Sequence, residues 1–85
     1  MTAVRIAAPA QALFRCTLCG AGAALAATDL PSAFGPQRVL AWCPSCARVA
    51  VREGRKVARS GPDGARAVAD LMAREIADLL AEEDA

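Results

Sequence analysis

Residues 43–60 read CPSCARVAVREGRKVARS, and the periodicity of this segment separates two kinds of small domain. As a strand, the segment alternates valine with other residues only over residues 47–52. As a helix, it places its four arginines within about 60° of one another and gathers its small apolar residues on a different face. Because the helical pattern covers the longer stretch, we predict a helix from Pro44 to Ser60. The arginines are Arg48, Arg52, Arg55 and Arg59.

The end of this helix is marked by Gly61 and Pro62. A glycine directly after a helix is typical of a left-handed cap, and a proline cannot continue the helix. Gly54, in the middle of the segment, costs a helix about 1 kcal/mol relative to alanine. The stop signal supports the helix in spite of this cost.

Two CxxC units carry the chemistry of the chain: Cys16-Thr17-Leu18-Cys19, followed by Gly20, and Cys43-Pro44-Ser45-Cys46. Two residues between cysteines let one tight turn present both sulfurs to a single ion. Two such turns supply four sulfurs, the tetrahedral set that zinc favours in closed structural sites. We therefore predict one structural Zn²⁺ bound by all four cysteines. Its binding would contribute on the order of 10 kcal/mol, more than a core this small supplies alone.

These units resemble the paired zinc knuckles of treble-clef fingers and zinc ribbons, and the resemblance covers roughly Phe14 to Arg59. In treble clefs the second knuckle opens a helix, which agrees with the period after Cys46. In ribbons a strand follows, which would match only residues 47–52. The resemblance implies a small α+β zinc-binding domain, a treble-clef-like finger with short β-hairpins and two helices. It also implies binding to nucleic acid or protein.

Other uses of the cysteines stay open. Rubredoxins also contain CxxCG and CPxC, and they bind iron for electron transfer. That family is typically acidic and rich in aromatics, whereas this chain has a formal charge of +1 and no tyrosine. The site chemistry alone does not separate iron from zinc. A thioredoxin-like role needs one CxxC rather than two, and a disulfide framework would require a secreted protein.

A second helix is predicted over residues 63–83, with Asp63 as its cap. It is amphipathic, because its apolar residues form one broad stripe. That stripe is expected to pack on the first helix, on a second copy of the chain or in another protein's groove. The candidate protein-interface residues, which include one loop residue, are Phe34, Leu71, Met72, Ile76, Leu79 and Leu80.

Length and composition predict one small domain whose core needs support from a metal ion, disulfides or an oligomer. The chain has 85 residues, and its hydrophobic fraction of 55% is largely alanine, with Phe14, Phe34 and Trp42 as its aromatics. We expect a flexible tail over residues 1–12, with a short extended piece at Val4–Ile6, and a four-cysteine zinc finger over residues 13–60. Within the finger, residues 39–42 are predicted to form a strand, and residues 23–27 a strand or a helical turn.

The predicted cellular location and the distribution of charge exclude few classes of binding partner. No apolar run approaches the roughly 20 residues that a membrane span needs, and residues 1–14 are too weakly apolar for a signal peptide. We therefore expect a cytoplasmic protein with reduced thiols and no membrane partner. Charge is uneven along the chain, because residues 48–66 carry +4 and residues 67–85 carry −5.

Two functions are predicted. The preferred one is a zinc-stapled protein-binding adaptor or assembly subunit, which the second helix would allow to form a homodimer. The alternative is a small nucleic-acid-binding regulator that places Arg48, Arg52, Arg55 and Arg59 on phosphates. An enzyme and a small-molecule substrate are not expected. The chain has no histidine, and a site closed by four thiolates leaves no open position for water.

Overall fold

The computed structural model describes residues 2–30 and 38–84, which form a small α+β domain. A three-stranded antiparallel sheet has the order β1-β2-β3. Its strands are β1 (Thr2–Arg5), β2 (Leu25–Leu30) and β3 (Arg38–Trp42). A 3-10 turn spans Ala10–Ala12, and the helices are α1 (Pro44–Ser60) and α2 (Asp63–Asp84). Phe34, a candidate interface residue, lies outside the described residues.

The sheet buries its side chains by alternation, since successive residues of a strand point to opposite faces. Leu25 and Trp42 are register partners, and both are buried in the main core with α1 and α2. Ala26 and Ala41 point the other way and pack with Ile6 in a smaller cluster. The predicted strand at residues 39–42 is confirmed as β3, and the alanine-rich run becomes a strand from Leu25 onward.

The amino-terminal segment differs from the expected flexible tail. Residues 2–5 pair with β2, with Ala3 opposite Ala27. Arg5 then connects the strand to α2, because its Nε lies 3.5 Å from a carboxylate oxygen of Glu82. Four residues are too few for an alternation pattern to stand out, and the partner strand is far away in sequence. The predicted extended piece at Val4–Ile6 overlaps this strand at Val4 and Arg5, but no local pattern indicates its pairing with β2.

Helix α1 has the predicted bounds, and its buried residues are Ala47, Ala50, Val51 and Gly54. The predicted left-handed cap at Gly61 is wrong, because this residue has φ −78° and ψ 178°, an extended conformation. Steric crowding by Val57 explains instead why residue 61 is a glycine. A Cβ at Gly61 would lie 2.6 Å from Cγ1 of Val57 and 2.7 Å from its carbonyl oxygen.

Helix α2 packs along α1 in a close antiparallel hairpin. A Cβ at Gly54 would lie 3.3 Å from both the Ala69 carbonyl oxygen and the Ala73 Cβ, so a small residue lets the helices approach there. Asp63 does not cap α2 as predicted, because it lies within the helix's first turn. Its carboxylate instead lies 3.7 Å from a guanidinium nitrogen of Arg66.

The apolar stripe of α2 is correctly predicted as a face, but the protein's own core covers much of it. Ile76 is 0% exposed and Leu80 is 7% exposed, and both pack with Trp42 in the main core. Met72 and Leu79 are partly buried against the same cluster. Packing of the stripe on the first helix, one of the three predicted alternatives, is therefore what the structure shows, and the side chains of Ile76 and Leu80 are buried in that core.

Candidate metal centre

The first cysteine pair lies on a tight turn ahead of β2. Arg15 and Gly22 form an isolated antiparallel bridge that closes the base of this turn. Within it, the Cys16 amide donates to the Ala21 carbonyl at 2.7 Å, and the Gly20 amide donates to the Cys16 carbonyl at 2.9 Å. Gly20 has φ +77°, in the left-handed region that side chains rarely adopt. The glycine after the second cysteine therefore completes the turn.

The second cysteine pair begins α1. Strand β3 ends at Trp42, and Cys43 is the extended residue before the helix. Cys46 lies in the helix's first turn, where the Ala47 amide donates to the Cys43 carbonyl at 2.8 Å. Pro44 suits the start of the helix because the first turn leaves amides without intrahelical acceptors. Two sulfurs are thus presented from the junction of a strand and a helix.

Thr17 joins the two halves of the site. Its amide donates to the Ala41 carbonyl at 2.8 Å, and the Ala41 amide donates to its hydroxyl oxygen at 3.3 Å. The turn that carries Cys16 and Cys19 therefore lies along the outer edge of β3, at Ala41. Strand β3 ends at the next residue, Trp42, directly before Cys43. This contact explains how two CxxC units that are distant in sequence come together.

The four sulfurs form one cluster, in which all lie within 4.8 Å of one another. Sγ of Cys19 lies 3.7 Å from Sγ of Cys43. A tetrahedron with zinc–sulfur bonds of about 2.3 Å has sulfur–sulfur edges of about 3.8 Å. A disulfide needs about 2.05 Å, and all four cysteines are free thiols. The cluster can hold a metal ion, as predicted.

The cysteines are unequally protected. Cys16 is buried in the main core beside Trp42, whereas Cys19 is exposed and Cys43 and Cys46 are half-buried. Burial raises the pKa of the Cys16 thiol, but backbone amides, led by that of Cys43, donate hydrogen bonds to its sulfur and lower its pKa to about 6. Cys16 is therefore the sulfur that the protein itself stabilises most as a thiolate.

Two of the other thiols shift in the opposite direction. The neighbouring Cys43 thiol is the largest cause that raises the pKa of Cys46 to about 12, followed by Cys16. At Cys19 a backbone hydrogen bond from Ala21 lowers the pKa, but Cys16 and Cys43 outweigh it and the net shift is upward. Four thiolates at this spacing need a cation between them, so the donor set fits a metal ion.

Gly20 offers a local test of the first turn. We expect Gly20→Ala to destabilise the metal-loaded protein by about 1–2 kcal/mol, because alanine resists the left-handed region. Gly64→Ala is the matched control, since a Cβ at either glycine meets no atom within 4 Å. Denaturant unfolding should show no loss of stability for Gly64→Ala. Equal effects of both substitutions would contradict the turn geometry.

The other predicted site residues lie away from the cluster. Arg48, Arg52, Arg55 and Arg59 are all exposed along α1, as the period predicts. Of the predicted interface residues that the structure describes, Leu71 is the most accessible, at 40% exposure.

Sequence reasoning missed an apolar groove beside the first turn. The groove has a volume of about 290 Å³, and its lining includes Leu18, Trp42, Val49, Val57 and Met72. Leu18 is 58% exposed and Val49 is 37% exposed. The sequence carries only a weak signal for this groove. Leu18, between the cysteines of the first CxxC unit, and Val49, on α1, are apolar residues at solvent-exposed positions.

No protein-family model matches the chain, and comparison with curated proteins and with solved structures finds no match either. In the part of the chain that the structure describes, no helix has the length and apolar character needed to cross a membrane. Inference about function therefore starts from the chain's own residues.

Proposed function

We propose that the protein is a zinc-stapled adaptor or assembly subunit, a non-enzymatic module whose metal ion holds a binding surface in shape. The observation that carries this proposal is the cluster of four sulfurs within 4.8 Å. Four thiolates satisfy a tetrahedral zinc ion completely, which is the arrangement of structural rather than catalytic sites. With no histidine in the chain, the cysteines are the natural ligands.

The order of elements supports a treble-clef-like arrangement. A knuckle at Cys16 and Cys19 precedes the antiparallel pair β2 and β3, and the second pair of cysteines opens α1. This is the order that the resemblance to treble clefs implies. Zinc would bind both knuckles and so join the start of α1 to the sheet edge, where Thr17 already contacts Ala41.

The proposed protein-binding surface consists of Leu18 and Val49, which are exposed at the rim of the apolar groove. An apolar groove with exposed apolar side chains at its rim is a feature of protein interaction sites, whereas single exposed apolar residues are common on any surface. Self-association through α2 is not part of the proposal, because the folded chain already buries Ile76 and Leu80.

The test combines metal content with a surface variant. Elemental analysis of the purified protein should give one zinc per chain, whereas iron would support the rubredoxin-like alternative and the absence of metal would contradict the proposed structural zinc.

The double variant Leu18→Glu with Val49→Glu should retain zinc and lose a protein that co-purifies stoichiometrically with the wild-type chain. Leu13→Glu is the control, since Leu13 is 82% exposed and is not among the residues that line the groove. A partner that binds all three proteins equally would contradict the proposed surface.

A further inference from the structure

A row of arginines runs along one side of α1. Arg48, Arg52, Arg55 and Arg59 are exposed and follow steps of four, three and four residues. At 1.5 Å per residue the row is about 17 Å long, and at 100° per residue it stays within about 60° of arc. It is therefore a straight line of positive charge on a rigid element.

Four acidic residues of α1 and α2 form ion pairs with bases outside this row. Glu53 is the acidic residue of α1, and its carboxylate lies 3.2 Å from the Lys56 ammonium group. On α2, Asp63 pairs with Arg66, Asp70 pairs with Arg74, and Glu82 pairs with Arg5. The negative charge of α2 is thus partly neutralised by bases outside the row.

Three members of the row keep their charge available. Across residues 2–30 and 38–84, Arg52, Arg55 and Arg59 form no ion pair. A pairing with the acidic second helix, which would make the row a merely structural feature, does not occur for these three side chains within the described residues.

We propose that Arg52, Arg55 and Arg59 bind the phosphate backbone of a nucleic-acid duplex. Guanidinium groups suit phosphate because they donate two parallel hydrogen bonds to it. Along α1 these three residues span about 10 Å, which corresponds to about three base-pair steps of about 3.4 Å along the duplex axis. The inference goes beyond the adaptor function and rests on it in one respect, that the same metal ion holds α1 in place.

The row's surroundings favour a duplex over single-stranded nucleic acid. Single-stranded nucleic acid is bound largely by stacking on aromatic side chains, and Trp42, next to the start of α1, is only 3% exposed. Val49 lies on a different side of α1, so the row and the groove are separate surfaces.

The experiment measures binding of a mixed-sequence 25-base-pair DNA duplex by fluorescence anisotropy at several salt concentrations. Three phosphate contacts predict a slope of about −2.7 for log K against log salt, or about a 40-fold loss of affinity from 50 to 200 mM. Arg52→Gln with Arg55→Gln should reduce that slope to about one third and the loss of affinity to about 3.5-fold. The matched control, Arg66→Gln with Arg74→Gln, changes the net charge equally and should keep the original slope.

Three outcomes would overturn the proposal. They are no duplex binding at 50 mM salt, equal effects of the two double variants, and tighter binding of a 25-nucleotide single strand through the same arginines. Zinc content and circular dichroism of each variant are measured alongside. If duplex binding is absent while zinc and the protein partner are retained, this inference fails and the adaptor function stands. If zinc is absent from the wild-type protein, the proposed function fails first.

Discussion

Cys16→Ser is expected to abolish metal binding and cooperative folding together. Serine is a poor zinc ligand at neutral pH, and Cys16 is the sulfur that the backbone amides stabilise most. Structural zinc contributes about 10 kcal/mol or more, whereas a chain of this size retains only about 3–5 kcal/mol from its core. Cys16 also packs in the main core with Leu25 and Trp42, so its loss removes a contact as well as a ligand.

The measurement is zinc content with near- and far-ultraviolet circular dichroism during denaturant unfolding. Removing zinc from the wild-type protein with a strong chelator should produce the same loss of a cooperative transition. Ser45→Ala is the control, because Ser45 is exposed between Cys43 and Cys46 and offers no ligand. A Cys16→Ser protein that unfolds cooperatively at wild-type denaturant concentrations would show that the metal is not what holds the fold.

Cys19→Ser separates the contribution of a cysteine as a metal ligand from its contribution to core packing. Cys19 is exposed, so its replacement removes a ligand and little core packing. We therefore expect weakened zinc binding and partial loss of stability, which added zinc restores more readily than in Cys16→Ser. Both substitutions remove one of four sulfurs, so the larger loss of stability that we expect for Cys16→Ser follows from the burial of Cys16.

The features that could be predicted from the sequence are those with a local signal. Helix α1 has a long 3.6-residue period and a proline at its start, and its bounds agree with the prediction. The cysteine cluster follows from spacing, because each CxxC turn presents two sulfurs together and one ion can bind both pairs. The row of arginines is likewise a consequence of helical period alone.

Tertiary contacts decide the remaining features, which local patterns reveal only in part. Strand β1 forms because β2 offers it an edge, and the ion pair between Arg5 and Glu82 connects it to α2. Gly61 is glycine because Val57 leaves no room for a Cβ, a contact that a cap rule based on φ does not anticipate. The stripe of α2 is visible in sequence, and packing on α1 is one of the three coverings that the sequence predicts, but the sequence does not choose among them.

Ile76→Ala should be among the most damaging changes outside the metal centre, with an expected loss of about 2–5 kcal/mol. Large-to-small changes at fully buried positions remove transfer energy and leave a cavity. Ile76 is 0% exposed at the point where α2 meets the sheet and α1. Because Ile76 supplies no ligand and all four cysteines remain, the variant should still bind one zinc per chain.

Leu71→Ala is the matched control, since it removes an aliphatic side chain from the same helix at 40% exposure. We expect it to cost less than about 1 kcal/mol, because little apolar area returns to water. The two positions are five residues apart, which separates them by about 140° around the helix. The pair of free energies of unfolding therefore reports which side of α2 faces the core. If Leu71→Ala cost more than Ile76→Ala, or if its effect depended on protein concentration, α2 would be turned toward a second copy of the chain, and the intramolecular core described above would be wrong.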